Sequence, residues 1–241
     1  MKKTILIASL LLVGTSLNVL GDGHLAEELS KGAFTAVIVA AKDTDKYLKS
    51  VASLNGAGEE TGAVAAGYCR TVSGHDYPGQ VMVWTAFPNV TAALVGGSEY
   101  DPSNAPRALA KLREFKYSLT MVPIKAFARL DPGYERAQRI KVSPANVPAL
   151  VAVLTQLEKE VQEAGHDTFI NGLYTAIGGG AQEAGTLYLK SITEDEKTMG
   201  AVIDDYLTGA SWADTYLQAT SLIDEVVSDQ FEVCEQFYSA E

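Results

Sequence analysis

Three histidines and two cysteines carry most of the chemical reach of this chain. His75 and His166 each stand next to an aspartate, Asp76 and Asp167, a pairing that suits acid–base work or a metal. They fall at non-equivalent places, however. His75 lies in the turn 73–78, and His166 follows Gly165 at the end of a helical pattern. No second histidine is spaced to complete a metal site with either, and His24 lies in the polar lead-in. Both read as turn residues, so no metal and no cofactor is expected. Gly178-Gly179-Gly180 lacks the Lys-Ser/Thr of a phosphate loop and precedes a strand, which makes it a hairpin turn. No G-x-S-x-G elbow is present to support Ser/His/Asp hydrolysis. Cys69 and Cys234 have no C-x-x-C or metal-type spacing; in an exported chain they form one disulfide or stay two free thiols.

The elements that must position these residues come in a repeating order. A buried-strand run at 34–41 is followed by an amphipathic helix at 43–54, with Tyr47, Leu48, Val51 and Leu54 on one face and Asp43 or Thr44 as N-cap. Strands at 64–72 and 80–87 make a hairpin. A helical region then opens at Asn89, breaks near 101–106 and resumes over 107–115, before a fourth strand at 117–125. The second half repeats this: strand 135–142, helix to Glu163, hairpin 170–177 and 186–192, helical 194–223 with a break near Gly209, and strand 228–237. A period above one hundred residues is too long for solenoid repeats, which run about 20 to 50 residues. The spacing predicts two like units, 33–130 and 134–241, joined near Pro132.

Length and charge bound the rest. A chain of 241 residues, 47% hydrophobic and 20% charged, has ordinary globular composition for one or two domains. Residues 1–21 read as a signal peptide: a basic start at Lys2 and Lys3, an apolar run over 5–20, and a cut after Gly21. That implies a periplasmic or secreted protein, with a lead-in at 22–32 and no membrane association once the signal is removed. Losing Lys2 and Lys3 takes the formal charge from −11 to −13. Such an acidic chain without a basic cluster argues against nucleic acid and anionic membrane surfaces.

A βαββαβ unit is the ferredoxin-like arrangement, with helices on one sheet face and the other face bare. Two such units in one chain can cover each other. In this element order and hairpin pattern the sequence resembles the dimeric α+β barrel superfamily, which includes the antibiotic-biosynthesis monooxygenases and the NIPSNAP-like and stress-responsive barrel proteins. The resemblance implies an α+β fold in which tandem ferredoxin-like units close into one pseudo-twofold barrel. Two separately packed units are the alternative. In a barrel, strand alternation sends Leu187 and Leu189 under helices and turns Tyr188 and Lys190 inward. Met82 and Trp84 face inward on the first hairpin, as do Arg139 and Lys141 on the fifth strand and Glu232 on the last. An apolar wall opposite convergent cations is the lining expected of a small-molecule pocket, for an anionic or aromatic ligand; paired with Glu232, the same charges would merely be neutralised. The family's closure further implies that the second strand of one unit meets the fourth of the other, which would let Cys69 and Cys234 bond.

Two classes of function follow. One is an exported, non-enzymatic protein that binds a small molecule in the barrel. The other, implied by the resemblance, is a cofactor-independent monooxygenase acting on an aromatic substrate, with Trp84 as the matching residue and no histidine or asparagine beside it. Haem ligation of the chlorite dismutase kind would need an axial histidine facing a cavity. A second copy of the chain, docked through leftover helix faces, is a further candidate partner.

Overall fold

The structure, a computed structural model, describes residues 32–54, 61–130 and 132–240. The expected signal segment and nearly all of the lead-in lie outside the described residues. The first half contains β1 (Ala33–Ala41), α1 (Thr44–Ala52), β2 (Ala65–Ser73), β3 (Gln80–Phe87), α2 (Val90–Ser98), a 3-10 turn (Pro102–Asn104), α3 (Arg107–Ala110) and β4 (Arg113–Lys125). The second contains β5 (Tyr134–Lys141), a 3-10 turn (Pro144–Asn146), α4 (Val147–Glu163), β6 (Ile170–Ile177), α5 (Gly180–Glu183), β7 (Leu187–Thr193), α6 (Glu196–Leu207), α7 (Ala213–Ser221) and β8 (Glu225–Ser239). The strands close into one antiparallel barrel in the order β1-β3-β2-β8-β5-β7-β6-β4. Cut at its two seams, β2–β8 and β4–β6, the barrel separates into β4-β1-β3-β2 and β6-β7-β5-β8; each unit carries its first and third strands in the middle. The α+β barrel is therefore the fold, and among the described residues closure pairs both edges of every strand.

Local chemistry accounts for most of the elements. Side-chain oxygens cap three helices: Asp43 accepts from the Lys46 N–H at 3.1 Å, Asn89 from Ala92 at 2.8 Å and Asp195 from Thr198 at 2.8 Å. Alternation along the strands sends one set of side chains into the barrel and the other under the helices. One sequence expectation fails in the first half. The helix expected to run on to residue 115 stops at Ala110, and Arg113, Glu114 and Phe115 pair with Ala41, Ala40 and Val39 of β1. Sheet pairing overrides a weak local helical preference there.

The two halves are covered unequally. In the second, the 17-residue α4 buries Leu150, Val153, Leu154, Leu157 and Val161 against the sheet, α6 adds Val202, and α7 adds Ala219 with Trp212 just before its start. In the first, α1 and α2 have nine residues each and α3 only four. Moreover, α2 (VTAALVGGS) buries nothing larger than Ala93 and Gly96. Gly96 is required where it stands, since a Cβ there would lie 2.5 Å from Phe87 Cε1. A short helix of small residues above a sheet leaves space between them. Among the described residues no helix is long and apolar enough to cross a membrane.

Candidate functional site

The barrel interior is a packed core rather than a pocket. Met82, Trp84 and Tyr188 do point inward, as alternation requires, and are buried together with Ile38 and the two cysteines. The indole of Trp84 lies over Gly67, where a Cβ would come within 2.2 Å of the ring, and meets Phe34 edge-on at 6.1 Å. Two voids among these residues measure about 40 and about 30 Å³, room for a water and not for a ligand. With these side chains packed so, neither void has the volume that the expected barrel ligand would need.

The cations expected to converge on an anion each have a carboxylate instead. Lys190, 4% exposed, is ion-paired with Glu135 and lies 3.8 Å from Glu232. Burial pulls the Lys190 ammonium down, but the two carboxylates more than reverse this and hold it charged. Burial raises the Glu232 carboxyl above its ordinary value, with Lys190 opposing the shift and Glu135 adding to it. Arg139 does reach the barrel side, where Nη1 lies 3.5 Å from the buried Glu183 and Nη2 3.5 Å from Asp76. Lys141 departs from its expected place. It ends β5 just past a register shift against β8, is exposed, and pairs with Glu225 at 2.7 Å. Glu135 escaped the sequence reading, although its parity with Ala137 and Arg139 marks it as inward-facing.

Cys69 and Cys234 sit opposite each other on β2 and β8 and are bonded, with an S–S distance of 2.08 Å. They and Glu232 form the closest group of metal-type donors among the described residues, but both sulfurs are taken by the bond. His75 is an exposed turn residue, whereas His166 Nε2 lies 2.8 Å from Asp205 Oδ2 of α6.

Two spaces of ligand size lie outside the barrel wall: one of about 330 Å³ along α5 and the start of β7, and another under the small-residue helix. A cavity of about 530 Å³ separates the outer face of the first sheet from α1, α2 and α3. Its floor carries the hydroxyls of Thr35, Thr85, Ser118 and Thr120, and its walls include Val37, Val51, Val83, Phe87 and Leu109. Phe237 of β8 closes it on the seam side, so both halves contribute. At one end stands Arg113, 6% exposed, the one charged residue among those that line it. Its Nη1 donates to Tyr47 Oη at 3.3 Å, and its Nη2 to Tyr100 Oη at 2.8 Å and to the Pro102 carbonyl at 2.9 Å. Burial raises the Tyr47 phenol despite the opposing field of Arg113, which keeps it protonated. Sequence reasoning missed Arg113 by assigning it to a helix. The signals that mark the site are the alternation of 113–117 and the run of Ala and Gly in α2, opposite strand positions occupied by Thr and Ser.

No family model matches the chain, and no curated protein matches it. Solved structures do. One is a protein from Lactobacillus acidophilus NCFM provisionally described as a monooxygenase, 13% identical, with a TM-score of 0.57 over 86% of this chain and 94% of that one. Another is a variant chlorite dismutase from Candidatus Nitrospira defluvii, 12% identical, with a TM-score of 0.53 over 90% and 96%. A third is a haem-binding protein from Thermus thermophilus, 12% identical, with a TM-score of 0.51 over 85% and 91%. At such identities the likeness is one of fold. The residues here do not fit haem. Among the described residues the cavity presents no His, Cys or Met, and of its three phenols those of Tyr47 and Tyr100 already accept hydrogen bonds from Arg113.

Proposed function

We propose that this chain binds a small, largely apolar molecule between the first-half sheet and helices α1 to α3. One observation carries the reading: beside barrel voids of about 40 and about 30 Å³, and a groove of about 330 Å³ along α5, the space under α2 amounts to about 530 Å³ with an apolar wall and a buried cation at its end. That volume falls in the range of small-molecule sites, about 300 to 1,000 Å³. The sheet supplies a rigid floor, the hydroxyls fix orientation, and the apolar walls supply the driving force. The seam disulfide supports an exported setting, because such bonds persist in oxidising compartments. The test uses a neutral fluorescent reporter, N-phenylnaphthylamine, with the protein and its Gly97→Phe variant. Gly97 lines the cavity, and a Cβ there would meet only Thr35 Cγ2, at 3.5 Å. Wild type is expected to enhance the reporter's fluorescence and the variant to lose that enhancement while keeping its circular dichroism. Equal enhancement by both, or none by either, overturns the reading.

A second reading, a monooxygenase acting on an aromatic substrate, draws on the fold likeness to the Lactobacillus protein. It loses the residue that first suggested it, since Trp84 is sealed in the barrel core and does not line the cavity. Oxygen uptake with an aromatic quinol would revive it.

A further inference from the structure

We infer that the ligand is a monocarboxylic acid whose carboxylate is held by Arg113, Tyr47 and Tyr100. This rests on the cavity being a binding site. The argument begins from a contrast among the buried cations. Lys190 has Glu135 and Glu232, Arg139 has Glu183, and Lys125 lies 2.8 Å from Glu158. Arg113 is as buried as these and has no carboxylate among the described residues. A guanidinium removed from water without a counter-charge is costly, and an anion arriving from outside would remove that cost.

The hydrogen-bond arithmetic points the same way. A guanidinium has five N–H donors. Tyr47, Tyr100 and Pro102 take one hydrogen of Nη1 and both of Nη2. The Nε–H and the second Nη1–H have no acceptor among the described residues. Each phenol oxygen accepts from Arg113, so each retains its own O–H as a donor, and no described residue accepts it. Four donor hydrogens thus gather at one end of an apolar cavity, with the complementary acceptor missing. A carboxylate accepts only and offers about four lone-pair sites. One positive charge matches one negative charge, which favours a monoanion over a phosphate dianion. The valine, leucine and phenylalanine walls suit an apolar body, and the threonine and serine floor suits oxygen substituents on it.

The experiment is competition against N-phenylnaphthylamine by three isosteres: 2-naphthoate, 2-naphthalenemethanol and 2-naphthylmethylamine. On wild type at neutral pH the acid is expected to compete about tenfold or more tightly than the alcohol, as charge-assisted hydrogen bonds require, with the amine weakest. Arg113→Met should bind the reporter yet bring acid and alcohol to near equality. If that variant does not fold, Tyr100→Phe, at a half-exposed position, should cut the preference severalfold. Reporter binding without preference for the acid overturns the inference and leaves the cavity reading standing. Failure of wild type to bind the reporter removes the cavity reading, and this inference with it.

Discussion

Glu135 and Glu232 face each other directly across the β5–β8 pair, and Lys190 lies between them. Opposed like charges destabilise a sheet, and one ammonium cannot fully compensate two buried carboxylates. Glu232 therefore ionises at a higher pH in the folded chain than its ordinary value of 4.5. The folded protein keeps a proton that the unfolded chain surrenders first. The stability linked to this group is complete below pH 4.5 and is lost as pH rises through the folded value. Glu232→Gln, which mimics the protonated side chain, should match wild type in urea midpoint near pH 4 and exceed it increasingly toward about pH 7. A constant difference across that window would show that Glu232 does not carry the proton. Strand parity was enough to turn Met82, Trp84, Arg139, Tyr188 and Lys190 inward. It could not show that each inward cation would find a carboxylate, because those partners come from other strands and from the turn helix α5. Nor could it find Arg113, whose strand character comes from pairing with β1.

Among the elements, α2 decides where the molecule is open. Its start was legible at Asn89, though its break was expected near 101–106 and falls after Ser98, and the end of α4 was legible at Glu163. The consequence of their unequal bulk was not, because unfilled volume belongs to two facing surfaces and never to one stretch of sequence. The adjacent glycines Gly96 and Gly97 separate helix propensity from packing. Gly97→Ala meets Thr35 Cγ2 at an ordinary 3.5 Å and should stabilise the protein by up to about 1 kcal/mol, the helix preference of Ala over Gly. Gly96→Ala drives a Cβ to within 2.5 Å of the Phe87 ring and should destabilise it by about 1 to 3 kcal/mol. Thermal melts of both variants check the pair; a stabilised Gly96→Ala would mean that α2 stands further from the sheet than described.

At the scale of the whole molecule, each half provides the other's missing layer. Among the described residues the inner face of β4-β1-β3-β2 is covered mainly by side chains from β5 to β8, with Phe127 and Leu130 of the linker between the halves, and its edges β2 and β4 are paired with β8 and β6. Residues 32–130 or 132–240 expressed alone should thus give no cooperative thermal transition and no near-ultraviolet circular dichroism. A sharp melt from either fragment would show that a half is a self-sufficient domain. This level of organisation was the most legible in sequence, since the repeated βαββαβ order alone demands a cover for two bare sheets.

The two seams of the barrel are not equivalent. Along β2–β8 the halves are covalently joined through Cys69 and Cys234, a bond that spans a sequence separation of 165. Along β4–β6 they hold together without a covalent link, by a shorter pairing broken at Pro123, the Lys125–Glu158 ion pair and side-chain packing. The molecule is built like a book, with a sewn spine on one side and loose leaves on the other. Any breathing of the barrel must part the pages at β4–β6. The cavity under α2 touches both sides, Phe237 at the spine and the Thr120–Ile177 pair at the loose edge, so each parting of the pages reaches one wall of it while the other stays sewn.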